Sequence, residues 1–145
     1  MGRREGIVEP GGIFCAIGAG RAPGSFAYED ERVFAIMSLE QPTPYKVLVI
    51  PRDHVATVYD LTDEQAAAIF RATVRVARAV RAASGCAGLN LVQANDPAGQ
   101  QTVPHFHLHV VPRFEGDGIV LRWDNALADR VELDRLAAEI RARLR

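Results

Sequence analysis

Apolar positions come in short runs up to about residue 60 and take helical spacing up to residue 84. Short runs then return, and helical spacing appears again near the C-terminus. The first 24 residues hold seven glycines and two prolines and read as mostly loop, interrupted by the apolar stretch IFCAI at residues 13–17. Two apolar-aromatic runs in SFAYEDERVFAIMSL flank the polar Glu29-Asp30-Glu31, which predicts a β-hairpin. EQPTP is a loop, and YKVLVIP is a third strand, apolar and β-branched nearly throughout and so buried on both faces. Thr62 and Gln65 have the spacing of a capping box and open a helix that Gly85 ends. Within it Ile69, Thr73, Val76 and Val80 recur at helical spacing, while Arg71, Arg75 and Arg78 fall on another, solvated side. GLNLVQAN is a fourth strand, DPAGQQTVP a loop and HFHLHVVPR a fifth strand. Leu133, Leu136, Ile140 and Leu144 mark a C-terminal helix. There is no repeat and no linker, so one domain is expected over residues 1–145, with a C-terminal helical extension from about residue 126.

Composition narrows the function classes. Hydrophobic residues make up 48%, enough for a packed core. A net charge of −1 gives no sign of a nucleic-acid partner. No apolar run approaches the length of a membrane span. Cys15 and Cys86 are too few for a disulfide scaffold, which points to a reducing cytosol. MGRREGIVEP lacks the apolar centre of a signal peptide, and Gly6 stands where a myristoylation site wants Ser or Thr.

The chemistry gathers in residues 105–109. Three of the four histidines, His105, His107 and His109, alternate there with Phe106, Leu108 and Val110. Side chains on a strand alternate faces, so the histidines share one face and the apolar residues take the core face. Like charges repel at short range, so at least one imidazole is expected to be neutral near neutral pH. Three readings follow: a polar surface face, a zinc site built on His-x-His, or an anion site in which one histidine attacks and others hold charge. The preceding PAGQQTV favours the third, because it offers backbone N–H groups, two amides and a hydroxyl as a phosphate cradle.

These residues resemble the histidine-triad (HIT) family. Its signature of three histidines alternating with apolar residues is matched by HFHLHVV, and AGQQTVP resembles the family's approach to it. VFAIMSLEQPTPYKVLVIPRDHV follows the family's second strand, loop and third strand, and IFCAI resembles its N-terminal motif. The likeness covers about residues 13–113. It implies an α+β fold with a five-stranded antiparallel sheet and a main helix, usually as a homodimer. It implies reaction at the α-phosphorus of a nucleotide conjugate without a required metal or cofactor, the substrate being a purine-type phosphoramidate or dinucleoside polyphosphate. In that scheme His107 attacks phosphorus and carries the nucleotidyl group, His109 meets a non-bridging oxygen, and His105 orients the nucleophile. Gln101, Thr102 and Val103 match the family's substrate-contacting loop.

Departures from the family pattern leave several roles open. Gly12 stands where some members carry the first cysteine of a zinc pair, so Cys15 is expected in the core and no metal is assigned. Ser38 stands where Asp or Asn usually grips the ribose. Tyr45-Lys46 replaces Gly-His before the third strand; Lys46 either adds positive charge near the phosphate or is a solvated strand-end lysine. Gln100-Gln101 adds one residue before the triad, so either Gln93 or Asn95 is the polar group that reaches the phosphate. His54 is expected to be structural; Phe14 and Ile36 are expected in the core, with a place lining the base pocket as the alternative. Trp123 either reaches a partner subunit or caps the core. The alternative to an enzyme is a nucleotide-binding regulatory module with little turnover.

Overall fold

The computed structural model describes residues 11–145; the reading of the first ten as neither signal peptide nor acylation site lies outside them. The elements in order are α1 (Ile13–Gly18), β1 (Phe26–Glu29), β2 (Val33–Met37), β3 (Val47–Pro51), α2 (Asp63–Ser84), β4 (Gly88–Gln93), β5 (Leu108–Arg113) and α3 (Arg130–Arg141), with single helical turns at Val58–Asp60 and Pro97–Gly99. The five strands form one antiparallel sheet in the order β1-β2-β3-β5-β4. The expected α+β architecture is therefore present. Among the described residues no helix is long and apolar enough to cross a membrane.

The hairpin forms because Asp30 closes it. Its carboxylate accepts from the backbone N–H groups of Arg32 and Val33, the local competition for backbone donors that makes Asp a turn residue. All five residues of β3 are buried, as the continuous apolar run required. The helix α2 starts as its sequence dictates. Thr62 Oγ1 accepts from Gln65 N at 3.1 Å, and Gln65 Oε1 accepts from Thr62 N at 2.9 Å. It ends at Gly85, whose φ of 66° favours glycine.

Two cores sandwich the sheet. On one face α2 buries Ala68, Ile69, Ala72, Val76 and Val80 against Val33, Ala35, Val47, Val49, Phe106, Leu108 and Val110. The other face holds Phe34, Ile36, Leu48 and Ile50 under Phe14 and Ile17 of α1. IFCAI is thus a short helix that covers the histidine side. The Phe34 ring packs so close under it that a β-carbon on Gly18 would lie 2.8 Å from that ring. Arg52 seals this junction by donating to the Gly18 carbonyl at 2.7 Å while lying over the Phe34 ring.

The fifth strand begins at Leu108, three residues later than the sequence suggests. His105, Phe106 and His107 form an irregular approach instead. The Phe106 N–H leaves the ladder and donates to the Val55 carbonyl. The alternation of faces survives this: Phe106, Leu108 and Val110 enter the α2 core, and the histidines take the opposite side. Near the C-terminus α3 buries none of its residues, and Trp123 is 76% exposed, so that indole does not cap the core.

Candidate active site

His107 is buried, and its orientation is set by one hydrogen bond. Its Nδ1 lies 2.7 Å from the His105 carbonyl oxygen. A carbonyl can only accept, so Nδ1 carries the proton and, in the neutral ring, the Nε2 lone pair is free. The ring sits edge-on between Phe14, with centroids 5.1 Å apart, and His109, 4.9 Å away. Burial in this apolar frame lowers its pKa, the His105 carbonyl opposes that shift, and the positive charge of Lys46 lowers it further. A neutral imidazole held in one tautomer with an open nitrogen is a nucleophile in waiting.

His109 is the triad residue that lies within β5, opposite Leu48 of β3 and Val92 of β4. Desolvation, then Lys46, then His107 push its pKa down to about 4. It too is neutral near neutral pH and can donate one N–H to an oxyanion.

His105 is almost fully enclosed, and both of its ring nitrogens have partners outside the triad. Its Nε2–H donates to the Pro51 carbonyl at 2.8 Å, leaving Nδ1 as an acceptor 3.6 Å from Cys15 Sγ. Cys15 Sγ also lies 3.5 Å from His54 Nδ1, and the His54 ring meets His105 edge-on. His105 therefore orients His107 through its backbone carbonyl rather than its ring. Cys15 is half-buried and faces two imidazoles, where the sequence suggested a core position. One donor atom from each of Cys15, His54 and His105 falls within 4.8 Å of the others. Sulfur and imidazole nitrogen at this spacing suit zinc. The carbonyl bond on the far side of His105 is the outer-sphere contact that fixes a metal-ligating histidine.

The loop residues divide. Gln101 fastens the loop: its amide donates to the Ala56 carbonyl at 2.6 Å, and its oxygen accepts from Asp96 N at 2.9 Å. Thr102 is exposed, with no side-chain bond among the described residues. Val103 packs against the core on the histidine side, and its carbonyl accepts from His105 N at 2.9 Å. The extra residue is absorbed at Gln100, which takes a φ of 68°, a strained value for any residue but glycine. Gln93 and Asn95 exchange a pair of amide bonds of 2.9 and 2.7 Å, and Asn95 also accepts from Val58 N. Neither bonds a histidine. Ser38 is buried just past β2, its backbone tied to Lys46 and Gln41.

Two groups escaped the sequence reading. Arg113 at the end of β5 grips Asp117 with two bonds of 2.7 and 3.0 Å and donates to the Ile119 carbonyl and to Asn90. Asp117 accepts from the N–H groups of Phe114 and Ile119, and these donors with Arg113 hold its carboxyl far below the usual range. The clamp places Ile119 over a cleft of about 270 Å³ that His109, Lys46, Val92, Val111 and Leu121 also line.

The HIT domain family matches residues 19–116 of this chain. The chain belongs to the HIT family. A crystal structure of SMU.412c from Streptococcus mutans superposes with a TM-score of 0.88 at 38% identity, covering 97% of this chain and 90% of that one. A zinc-bound histidine triad family protein from Mycobacterium smegmatis superposes at 0.70 with 37% identity, covering 89% and 94%. The Schizosaccharomyces pombe relative named adenosine 5'-monophosphoramidase is 28% identical over 134 residues, spanning 92% of this chain and 98% of its own.

Proposed function

We propose that this HIT protein is a nucleotide hydrolase or nucleotidyl transferase that works through a covalent nucleotidyl group on His107. The observation that carries the reading is the fixed tautomer of that buried ring. Its Nδ1–H is committed to the His105 carbonyl, so Nε2 is the atom that attacks. The name of the Schizosaccharomyces pombe relative supports a nucleotide substrate with a labile bond at the α-phosphorus.

Nε2 forms a bond to the α-phosphorus as the bond from phosphorus to the leaving group breaks. The ring becomes cationic, and the His105 carbonyl stabilises that charge at Nδ1. A polyphosphate leaves with the bonding pair on its bridging oxygen, a new negative charge that balances the cationic ring, whereas an amine takes a proton from solvent. Water then adds to phosphorus as the N–P bond breaks, its proton balancing the one taken by the leaving group. His109 donates to a non-bridging oxygen in both steps, and Thr102 and the backbone of the 99–103 loop frame the phosphoryl group. Gln93 at the end of β4, or Asn95 just past it, meets it from the neighbouring strand end, and Ser38 meets the ribose. His105 acts as a positioning residue.

Zinc, the metal that the Mycobacterium smegmatis relative binds, would here meet Cys15, His54 and His105. It would brace the loop that carries the His105 carbonyl. None of the steps above runs through it, because the attacking atom belongs to His107.

The reading includes a homodimer. The edge strand β4 exposes Leu91 and Val92, and α3 leaves Leu133, Leu136 and Ile140 uncovered, a surface suited to a second copy. A panel of purine nucleoside phosphoramidates and dinucleoside polyphosphates, read by mass spectrometry, tests the activity. Release of a nucleoside monophosphate from one of them supports the reading; tight nucleotide binding with no product on any of them favours a binding module.

A further inference from the structure

His109 is neutral near neutral pH, yet the group it is read as handling is an anion. Lys46 supplies the missing charge. Backbone pairing places it: Val47 lies opposite Val110 and Leu48 opposite His109, so Lys46, two residues before Leu48, projects from the same face as His109. The Lys46 backbone is pinned twice by Gln41, whose amide donates to its carbonyl at 2.8 Å and accepts from its N–H at 3.0 Å. A third bond joins Ser38 N to that carbonyl. A free strand end needs no such fastening.

The side chain is half-buried and lines the cleft beside His109, among Val92, Val111, Ile119 and Leu121, with no carboxylate in the lining. Among the described residues its ammonium makes no ion pair. Its positive charge reaches His109, whose pKa it lowers. A cation next to apolar walls and the neutral His109 imidazole is electrostatically unsatisfied and gains from an anion more than a solvated lysine would.

We propose that Lys46 is the anion-binding residue of this site, its ammonium meeting an oxygen of the substrate's phosphoryl group beside His109. This rests on the reading of the site as one for nucleotides and goes beyond it by assigning the charge recognition to a residue outside the triad. The site then rewards the phosphate rather than the nucleoside.

Isothermal titration of the full chain with adenosine 5'-monophosphate and with adenosine tests this, on the wild type, Lys46→Met and Lys46→Arg. A bond to a charged group contributes about ten- to hundredfold in affinity. Lys46→Met should lose at least about tenfold for the monophosphate and stay within about twofold for adenosine. Lys46→Arg should keep most of the monophosphate affinity. Unchanged monophosphate binding in Lys46→Met, or equal loss for both ligands, overturns the assignment and leaves the nucleotide reading standing. A wild type that binds neither ligand overturns both. Thermal melts of the variants check that any loss is not unfolding, and Lys46→Gln, which also removes the charge, takes the place of Lys46→Met with the same expected and overturning results if that variant is unstable.

Discussion

Acid should destabilise this protein through His109, and the size of the effect follows from its surroundings. The folded pKa is about 4 against a value of 6.5 for the unperturbed ring. A depressed histidine pKa means that the unfolded chain binds the proton more readily. The stability that the neutral ring contributes is therefore complete above the unfolded pKa and is lost as pH falls from there through the folded pKa. Between about pH 7.5 and about pH 5 the loss from His109 comes to about 2 kcal/mol, approaching about 3 kcal/mol when both states are protonated. His105 and His107 are shifted the same way by burial and steepen the total. Urea unfolding at a series of pH values, on the wild type and on His109→Gln, isolates the contribution. The variant should show a shallower decline by about 2 kcal/mol over that interval, whatever its absolute stability. Parallel curves for the two proteins would refute the reasoning.

Further outcomes follow from the same geometry. Product release should persist in a chelator, since the attacking nitrogen lies outside the Cys15, His54 and His105 cluster; activity that vanishes and returns only with zinc would contradict this. Zinc taken up by the purified chain, measured by elemental analysis, should fall in Cys15→Ser. Light scattering at micromolar concentration should give a dimer mass, and a monomer would count against the role given to β4 and α3. Asp117→Asn should weaken the Arg113 grip and let Ile119 leave the cleft, which raises KM more than it lowers kcat; an unchanged KM would remove that wall from the site.

Much of the fold was legible because its signals are local. Thr62, Gln65 and Gly85 bound α2 through contacts spanning at most four residues, and the apolar run in β3 reads directly as a strand covered twice. α1 was missed because six residues between glycines make less than two turns and show no period. The start of β5 was misplaced because a long-range bond from Phe106 to Val55 outbids the ladder. The three histidines were legible as a group on one face, but the hydrogen bonds that set their tautomers were not. The His107 tautomer depends on the irregular backbone at His105, and the His105 tautomer on Pro51, 54 residues away. The pairing of Cys15 with His54 and His105 spans 39 and 90 residues, which no spacing rule reaches. Arg113 and Asp117 sit only four apart, yet read as ordinary charges on a strand end until both bonds are seen.

The covalent step on His107 is the claim on which the rest depends. Rapid quenching of the wild type with a substrate labelled in its nucleotidyl group, followed by peptide mapping, tests it directly. The account predicts an acid-labile nucleotidyl adduct on the peptide that carries His107, absent from His107→Ala, with turnover in that variant down by more than the roughly 10²–10³ that loss of an oxyanion donor costs. An adduct on another residue, or near wild-type turnover in His107→Ala, would contradict it.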